Sequence, residues 1–241
     1  MKAGKFFTLA MLAMMFFFAG TQTVLAAGDS SDSSVQFVGD DDGTTQPVNP
    51  VDPTEEVNPT DPVTPTSGAL RIDFASNISF GTQKIYGKDT TYHPLYTQVK
   101  PVSDGTITKY VPQYVQITDN TGLNQGWELM VSGTEFKSTS DKVLTGAELI
   151  LSGTTVNSKM DQKFKPSLIN SRVAIGSTPE SVVTASANEG MSVWTVAFGD
   201  AEGLNSSSFN SNISLHVPAE TVKVAGETYT STLTWTLSSA P

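Results

Sequence analysis

The chain contains no cysteine and only two histidines in 241 residues. Without cysteine there is no disulfide scaffold, no thiol nucleophile and no thiolate ligand, so stability must come from an ordinary apolar core. Two isolated histidines, His93 and His216, do not make a zinc site. The sequence also lacks the His-Glu-x-x-His, Gly-x-Ser-x-Gly and Ser-x-x-Lys patterns of common enzymes. We therefore predict a protein that is not an enzyme and that holds neither a metal nor a cofactor.

Long apolar runs are absent after Gly20, so we expect no membrane insertion of the mature chain. The N-terminus has a basic start at Met1–Lys5 and an apolar run at Phe6–Gly20, and small residues follow at Val24–Ala27. This pattern is typical of a secretory signal peptide, and we place the cleavage site after Ala26, with Ala27 as the alternative. The prediction is a signal peptide at residues 1–26 and a secreted protein.

Basic residues are missing from residues 27–68, a segment that contains nine acids and six of the thirteen prolines. Such a composition cannot bury enough surface to offset the entropy lost on ordering, so we predict a disordered acidic Pro/Ser/Thr-rich linker. Three adjacent aspartates at Asp40–Asp42 fit a solvated charge cluster better than a calcium loop. No cluster of Lys and Arg marks a nucleic-acid surface, so we exclude DNA and RNA as partners. We also expect the fragment Ala69–Pro241 to bind cells as well as the mature chain.

Sustained helical spacing is absent outside the predicted signal peptide. From Ala69 onward, short runs alternate between apolar and polar residues and are separated by Gly, Asn, Asp and Ser clusters. We predict one all-β domain at residues 69–241, a two-sheet β-sandwich. The candidate strands are Leu70–Phe74, Ile78–Phe80, Tyr114–Thr118, Trp127–Ser132, Ala147–Ser152, Val193–Phe198, Ile213–Val217 and Thr228–Leu237.

Two of the three tryptophans stand in the same local pattern, a Trp followed two positions later by a Leu. Trp127 and Leu129 share one strand face, and so do Trp235 and Leu237, because side chains alternate along a strand. These four residues are our candidate binding residues. An apolar strand face most often packs in a core, so we favour buried tryptophans, and ligand contact is the alternative.

The paired pattern resembles the WxL domain of surface proteins from low-GC Gram-positive bacteria, with one Trp-x-Leu near the middle and one near the C-terminus. Other stretches are similar to that family: Phe80-Gly81, Tyr114–Asp119, Leu144–Ala147 and Phe198-Gly199. The resemblance covers about residues 69–241. It implies non-covalent attachment to the cell wall, with peptidoglycan or another wall component as the ligand, and often a membrane-anchored WxL-interacting protein as a partner.

Three functions remain open at this point. The first is a cell-wall-binding protein of the extracellular surface, and the second is an adhesin or structural subunit whose main ligand is a protein. The third, a wall glycan hydrolase, has the least support. The two carboxylates of such an enzyme are brought together only by folding, so a sequence pattern cannot exclude them. The acids of the domain, however, mostly lie beside turn residues, as at Asp104-Gly105 and Asp119-Asn120.

Overall fold

The computed structural model describes residues 31–239, and residues from Phe37 onward form one compact unit. The predicted signal peptide therefore lies outside the described residues. Within them, β-structure dominates and a single 3₁₀ turn occurs at Gln162–Phe164. The strands are β1 (Val57–Pro59), β2 (Leu70–Ala75), β3 (Thr90–Tyr92), β4 (Thr97–Pro101), β5 (Lys109–Val111), β6 (Tyr114–Asp119), β7 (Trp127–Gly133), β8 (Lys137–Ser138), β9 (Glu148–Ser152), β10 (Thr154–Asn157), β11 (Leu168–Ile169), β12 (Arg172–Ile175), β13 (Glu180–Ala185), β14 (Ser192–Phe198), β15 (Ile213–Val217), β16 (Tyr229–Thr230) and β17 (Leu233–Ser239).

Three antiparallel sheets of four strands surround the main core. Their strand orders are β10-β14-β6-β2, β11-β13-β7-β17 and β12-β9-β15-β3. Each sheet turns one face inward, and Trp194, Trp127 and Leu151, one from each sheet, are all completely buried in the same apolar cluster. The all-β class is confirmed. The two-sheet sandwich is not confirmed, because the strands form these three sheets and two smaller ones.

A strap formed by residues 40–63 covers the outer face of the β10-β14-β6-β2 sheet. Within it, β1 pairs antiparallel with β4, so that Val57 lies opposite Pro101. Val57 is fully buried and packs with Phe74, Val99 and Tyr114 in a second apolar cluster. The structure thus differs from the prediction that all of residues 27–68 are a disordered linker. A few valines suffice for ordering here, because the strap adds to an existing sheet and needs no core of its own.

A buried polar network fixes the strap to the sheet. Arg71 and Asp73 form an ion pair at 3.1 Å with both side chains almost fully buried. The Arg71 guanidinium also donates to Thr45 Oγ1 at 2.8 Å, and Thr118 Oγ1 donates to the other Asp73 oxygen at 2.7 Å. Burial raises the pKa of Asp73, against the hydrogen bonds and the Arg71 charge that lower it. Because each group depends on several partners, losing the strap leaves a buried charge short of hydrogen bonds.

The backbone of the strap is bound in the same region. The Val48 amide donates to Gln116 Oε1 at 2.8 Å, and Gln116 Nε2 donates to the Gln46 carbonyl at 3.2 Å. Asp40, predicted to be a solvated charge, instead lies 3.5 Å from the Arg71 guanidinium. A sequence cannot show this contact, since it joins residues from two separate segments.

Candidate functional site

The two Trp-x-Leu motifs lie on neighbouring strands and on the same face of one sheet. β7 and β17 pair antiparallel, so that Leu129 lies opposite Leu237 and Val131 opposite Trp235. Residues directly opposite each other in an antiparallel pair project to the same side. The paired leucines therefore lie between the two tryptophans along the strands.

Trp127 is a core residue. It has no exposed surface, and its Nε1 donates to the Gly190 carbonyl at 2.9 Å. Leu129 is likewise fully buried. The Gly190 backbone has φ +74°, and a Cβ there would collide with the Trp127 indole and approach the Ala185 Cβ to 2.7 Å. The indole is thus enclosed on all sides and cannot contact a ligand without unfolding.

This close approach predicts that Gly190→Ala destabilises the fold by about 2–4 kcal/mol, through strain at positive φ and through overpacking of Trp127. Gly226 is the matched control, because it has φ +81° and open space where a Cβ would lie. Gly226→Ala should cost only about 1 kcal/mol. Urea unfolding of both variants measures the difference. Equal losses in the free energy of unfolding would mean that close packing of residue 190 against Trp127 adds nothing to the cost of Gly190→Ala.

Trp235 differs from the other two tryptophans. Its side chain is partly exposed, whereas Trp127 and Trp194 are fully buried. One side of the indole stacks on Phe198, with ring centroids 6.1 Å apart and an interplanar angle of 28°. Trp194 Nε1 donates to Met191 O at 2.8 Å. Among residues 31–239, Trp235 Nε1 has no hydrogen-bond acceptor.

The exposed part of Trp235 lines a cleft of about 1440 Å³. Its floor consists of the core residues Leu149, Leu215 and Val217. Phe80 and Phe136 form part of the wall, with their rings edge to face at 6.4 Å. The cleft therefore combines aromatic rings with an aliphatic floor.

The rim of the cleft is polar and nearly neutral. The loops at residues 76–85 and 223–232 contribute Lys84, Lys223 and Glu227. Lys223 Nζ donates to the carbonyls of Pro218 and Thr221, both at 3.0 Å. Hydrogen bonds from Ser138 and Ser140 lower the pKa of Glu227. Two of the three charged groups are thus held by neighbouring residues.

Neither histidine lies in a cluster suited to catalysis or metal binding. His216 is half-buried on the face of β15 opposite to Ile213 and Leu215, as the alternation predicts. His93 Nδ1 lies 2.7 Å from the Ile213 carbonyl. Within residues 31–239, no group of three His, Cys, Asp or Glu side chains could hold a metal ion.

The family profile for the WxL domain, described as surface cell wall-binding, matches residues 25–241. The chain belongs to the WxL family. It is accordingly a protein of the extracellular surface that is associated with the cell wall. This family is one of wall-binding domains and not of enzymes. No curated protein and no solved structure matches the chain. In the part that the structure describes, no helix is long and apolar enough to cross a membrane.

The WxL motifs explain only part of the candidate site. The repeated Trp-x-Leu pattern predicted four binding residues, and the structure brings all of them onto one sheet face: Trp127, Leu129, Trp235 and Leu237. Only Trp235 among them lines the cleft. The aromatic residues of the wall were missed, because they come from loops far apart in the sequence and carry no shared pattern. The sole sequence signal near them is Phe80-Gly81, one of the stretches that resemble the WxL family.

Proposed function

We propose that this WxL protein attaches non-covalently to peptidoglycan through the cleft that contains Trp235. The observation that carries the proposal is the partly exposed indole of Trp235, which lines a cleft of about 1440 Å³. A large cleft that combines aromatic surface with a few polar groups is the usual form of a ligand site. The protein acts by binding alone and catalyses no reaction.

Sugar rings match the chemistry of this cleft. A pyranose presents an apolar face of C–H groups, which can pack on the indole of Trp235 and on the Phe80 ring. Its hydroxyl and N-acetyl groups need hydrogen-bond partners, which the polar rim supplies through Asn77, Thr228 and neighbouring residues. An anionic wall polymer would call for clustered Lys and Arg, and the rim carries only two lysines and one glutamate.

The remaining motif residues support the cleft from below. Leu129 and Leu237 pair across β7 and β17, which fixes the register of the edge strand that carries Trp235. Trp127 anchors β7 through its bond to Gly190. We propose that these three residues position Trp235 and do not contact the wall.

Pull-down on purified sacculi stripped of proteins tests the proposal. Trp235→Ala should weaken binding at least about tenfold, the effect of losing about 1.4 kcal/mol of contact energy. Phe209→Ala is the matched control, since Phe209 is an exposed aromatic residue outside the cleft. Its binding to bare sacculi should be unchanged. If Trp235→Ala binds as well as the unchanged chain, the cleft is not the wall site.

A second candidate function is binding of a surface protein, as in an adhesin or in a complex with a membrane-anchored WxL-interacting protein. The observation that favours it is an apolar patch, where Leu204 is 93% exposed and Phe209 is 55% exposed. The loop that carries them is bridged to β5 at Tyr110–Gly203 and to the segment just before β4 at Leu95–Phe209. Exposed apolar patches commonly mark protein-binding surfaces. Walls that retain their proteins should then bind more of the chain than bare sacculi do, and Leu204→Asp should abolish that excess.

We propose further that residues 1–26 are removed as a signal peptide on export. The support is the basic start, the apolar run and the small residues before Ala27. N-terminal sequencing of the protein recovered from the cell surface should begin at Ala27 or, if cleavage follows Ala27, at Gly28. A mature protein that begins at Met1 would contradict this.

A further inference from the structure

The segment that precedes the strap exposes three large apolar side chains. Residues 31–38, which we call the arm, have no regular secondary structure. Val35 is 76% exposed, Phe37 is 87% exposed and Val38 is 85% exposed. Single exposed apolar residues are common, but Phe37 and Val38 are adjacent in the sequence, so this segment exposes more apolar surface than an isolated side chain does.

The cleft offers a matching surface. Its floor of Leu149, Leu215 and Val217 is continuous with the main core, and Phe80 and Phe136 extend the apolar surface up the wall. At about 1440 Å³, it exceeds the range of about 300–1000 Å³ typical of small-molecule pockets. It therefore has room for several side chains of an extended polypeptide.

The backbone holds Phe37 away from the Ala75 edge of the cleft in its own molecule. The Asp40 amide donates to the Asn120 carbonyl at 3.3 Å, which fixes the chain beside the Leu70 end of β2. The cleft begins at the other end of that strand, at Ala75. Five residue steps along a strand span about 17 Å, whereas three residues of extended chain from Asp40 to Phe37 span at most about 11 Å. This limited reach favours a second molecule as the source of the Phe37 side chain that enters a cleft.

Charge favours this pairing. The arm contains one acid, Asp32, and no Lys or Arg. The rim of the cleft carries Lys84 and Lys223, whereas its Glu227 carboxylate already accepts hydrogen bonds from Ser140. An acidic arm that enters this cleft meets a rim with a small excess of positive charge, which assists association.

We propose that the arm of one molecule packs Phe37 and Val38 into the Trp235 cleft of a second copy of this chain. The contact joins two different surfaces, so it is heterologous and can link molecules head to tail. This proposal goes beyond wall attachment and does not depend on which wall polymer is bound. Because the proposed wall site is the same cleft, the arm and the wall compete for it.

Sedimentation velocity of the mature chain, residues 27–241, tests the proposal across a wide range of protein concentration. The mass of the unchanged chain should rise above that of a monomer, and Phe37→Asp should remain monomeric at concentrations at least about tenfold higher. Gln36→Asp is the matched control, because it adds the same charge to the arm but removes no apolar side chain. It should still associate. An unchanged chain that stays monomeric throughout, or a Phe37→Asp chain that associates equally, overturns the proposal.

A peptide experiment locates the contact. A synthetic peptide of residues 31–39 is added to the Phe37→Asp chain, and tryptophan fluorescence is recorded. Binding should shift the emission toward shorter wavelength, and Trp235→Phe in the same chain should remove that shift. Trp127 and Trp194 are fully buried, so they contribute a constant background. No shift, or a shift that survives Trp235→Phe, places the arm elsewhere and overturns the assignment to the cleft.

Discussion

Trp127→Ala is expected to remove about 3–5 kcal/mol from the free energy of unfolding, a large part of the 5–15 kcal/mol that holds a typical domain together. Its indole is fully buried and hydrogen-bonded to Gly190. Trp235→Ala is expected to cost less, on the order of 1–2 kcal/mol, because part of its ring already contacts water. Thermal melts together with sacculus pull-down on both variants separate the two roles. Trp127→Ala should lose folding and binding together, whereas Trp235→Ala should keep a cooperative melt and lose binding.

Trp194→Ala is the control for this pair. Trp194 is as buried as Trp127 and donates to Met191, but it belongs to no Trp-x-Leu motif. It should lose about as much stability as Trp127→Ala and lose sacculus binding together with folding, as expected if both tryptophans act through packing. If Trp127→Ala melted like the unchanged chain and still failed to bind sacculi, Trp127 would be a wall contact and its assignment to the core would be wrong.

Truncation at Ala69 is the second change with a large expected effect. A fragment of residues 69–241 lacks the strap, so Val99 and Val111 lose the cover that Val57 provides, and Arg71 loses its bond to Thr45. Uncovered apolar surface and an under-bonded buried charge both destabilise, by several kcal/mol in total. We therefore expect this fragment to melt well below the fragment of residues 37–241, or to fail to fold.

Circular dichroism melts of the two fragments provide the measurement. The longer fragment retains the strap and lacks only the segment before Phe37, so it should melt like the mature chain of residues 27–241. Identical melts of the two fragments would show that the strap contributes nothing to stability. This outcome would restore the view of residues 27–68 as a linker, and with it the expectation that the fragment from Ala69 binds cells fully.

Alternation along the chain predicted the fold class and several strands. Average composition did not predict the ordered strap, where burial of a few residues decides whether the segment is ordered. The run at Ile213–Val217 alternates cleanly, and the structure has a strand with those bounds. Ile78–Phe80, also predicted as a strand, lies in a loop, and its side chains line the cleft. The strap has few apolar residues on average, but burial of Val48 and Val57 is enough to order it on a preformed sheet.

The candidate site was predictable only in part for a related reason. A repeated Trp-x-Leu shows two apolar strand faces, but period-2 alternation does not say which strands are neighbours. The pairing of Leu129 with Leu237 depends on contacts between strands more than 100 residues apart in the sequence. The cleft depends in the same way on loops that meet only after folding, so no local pattern marks Phe80 or Phe136.

The position of β17 has a consequence for the order of folding. This strand supplies one side of the pairing with β7, and Trp235 and Leu237 cover the main core beside Phe198. During synthesis, the main core beside Phe198 therefore stays uncovered until residues 233–239 have been made. Such late closure of a long loop is slow, because the entropy of bringing distant segments together is lost before their contacts form. The pairing of β17 with β7 is therefore expected to be among the later steps in the folding of this domain.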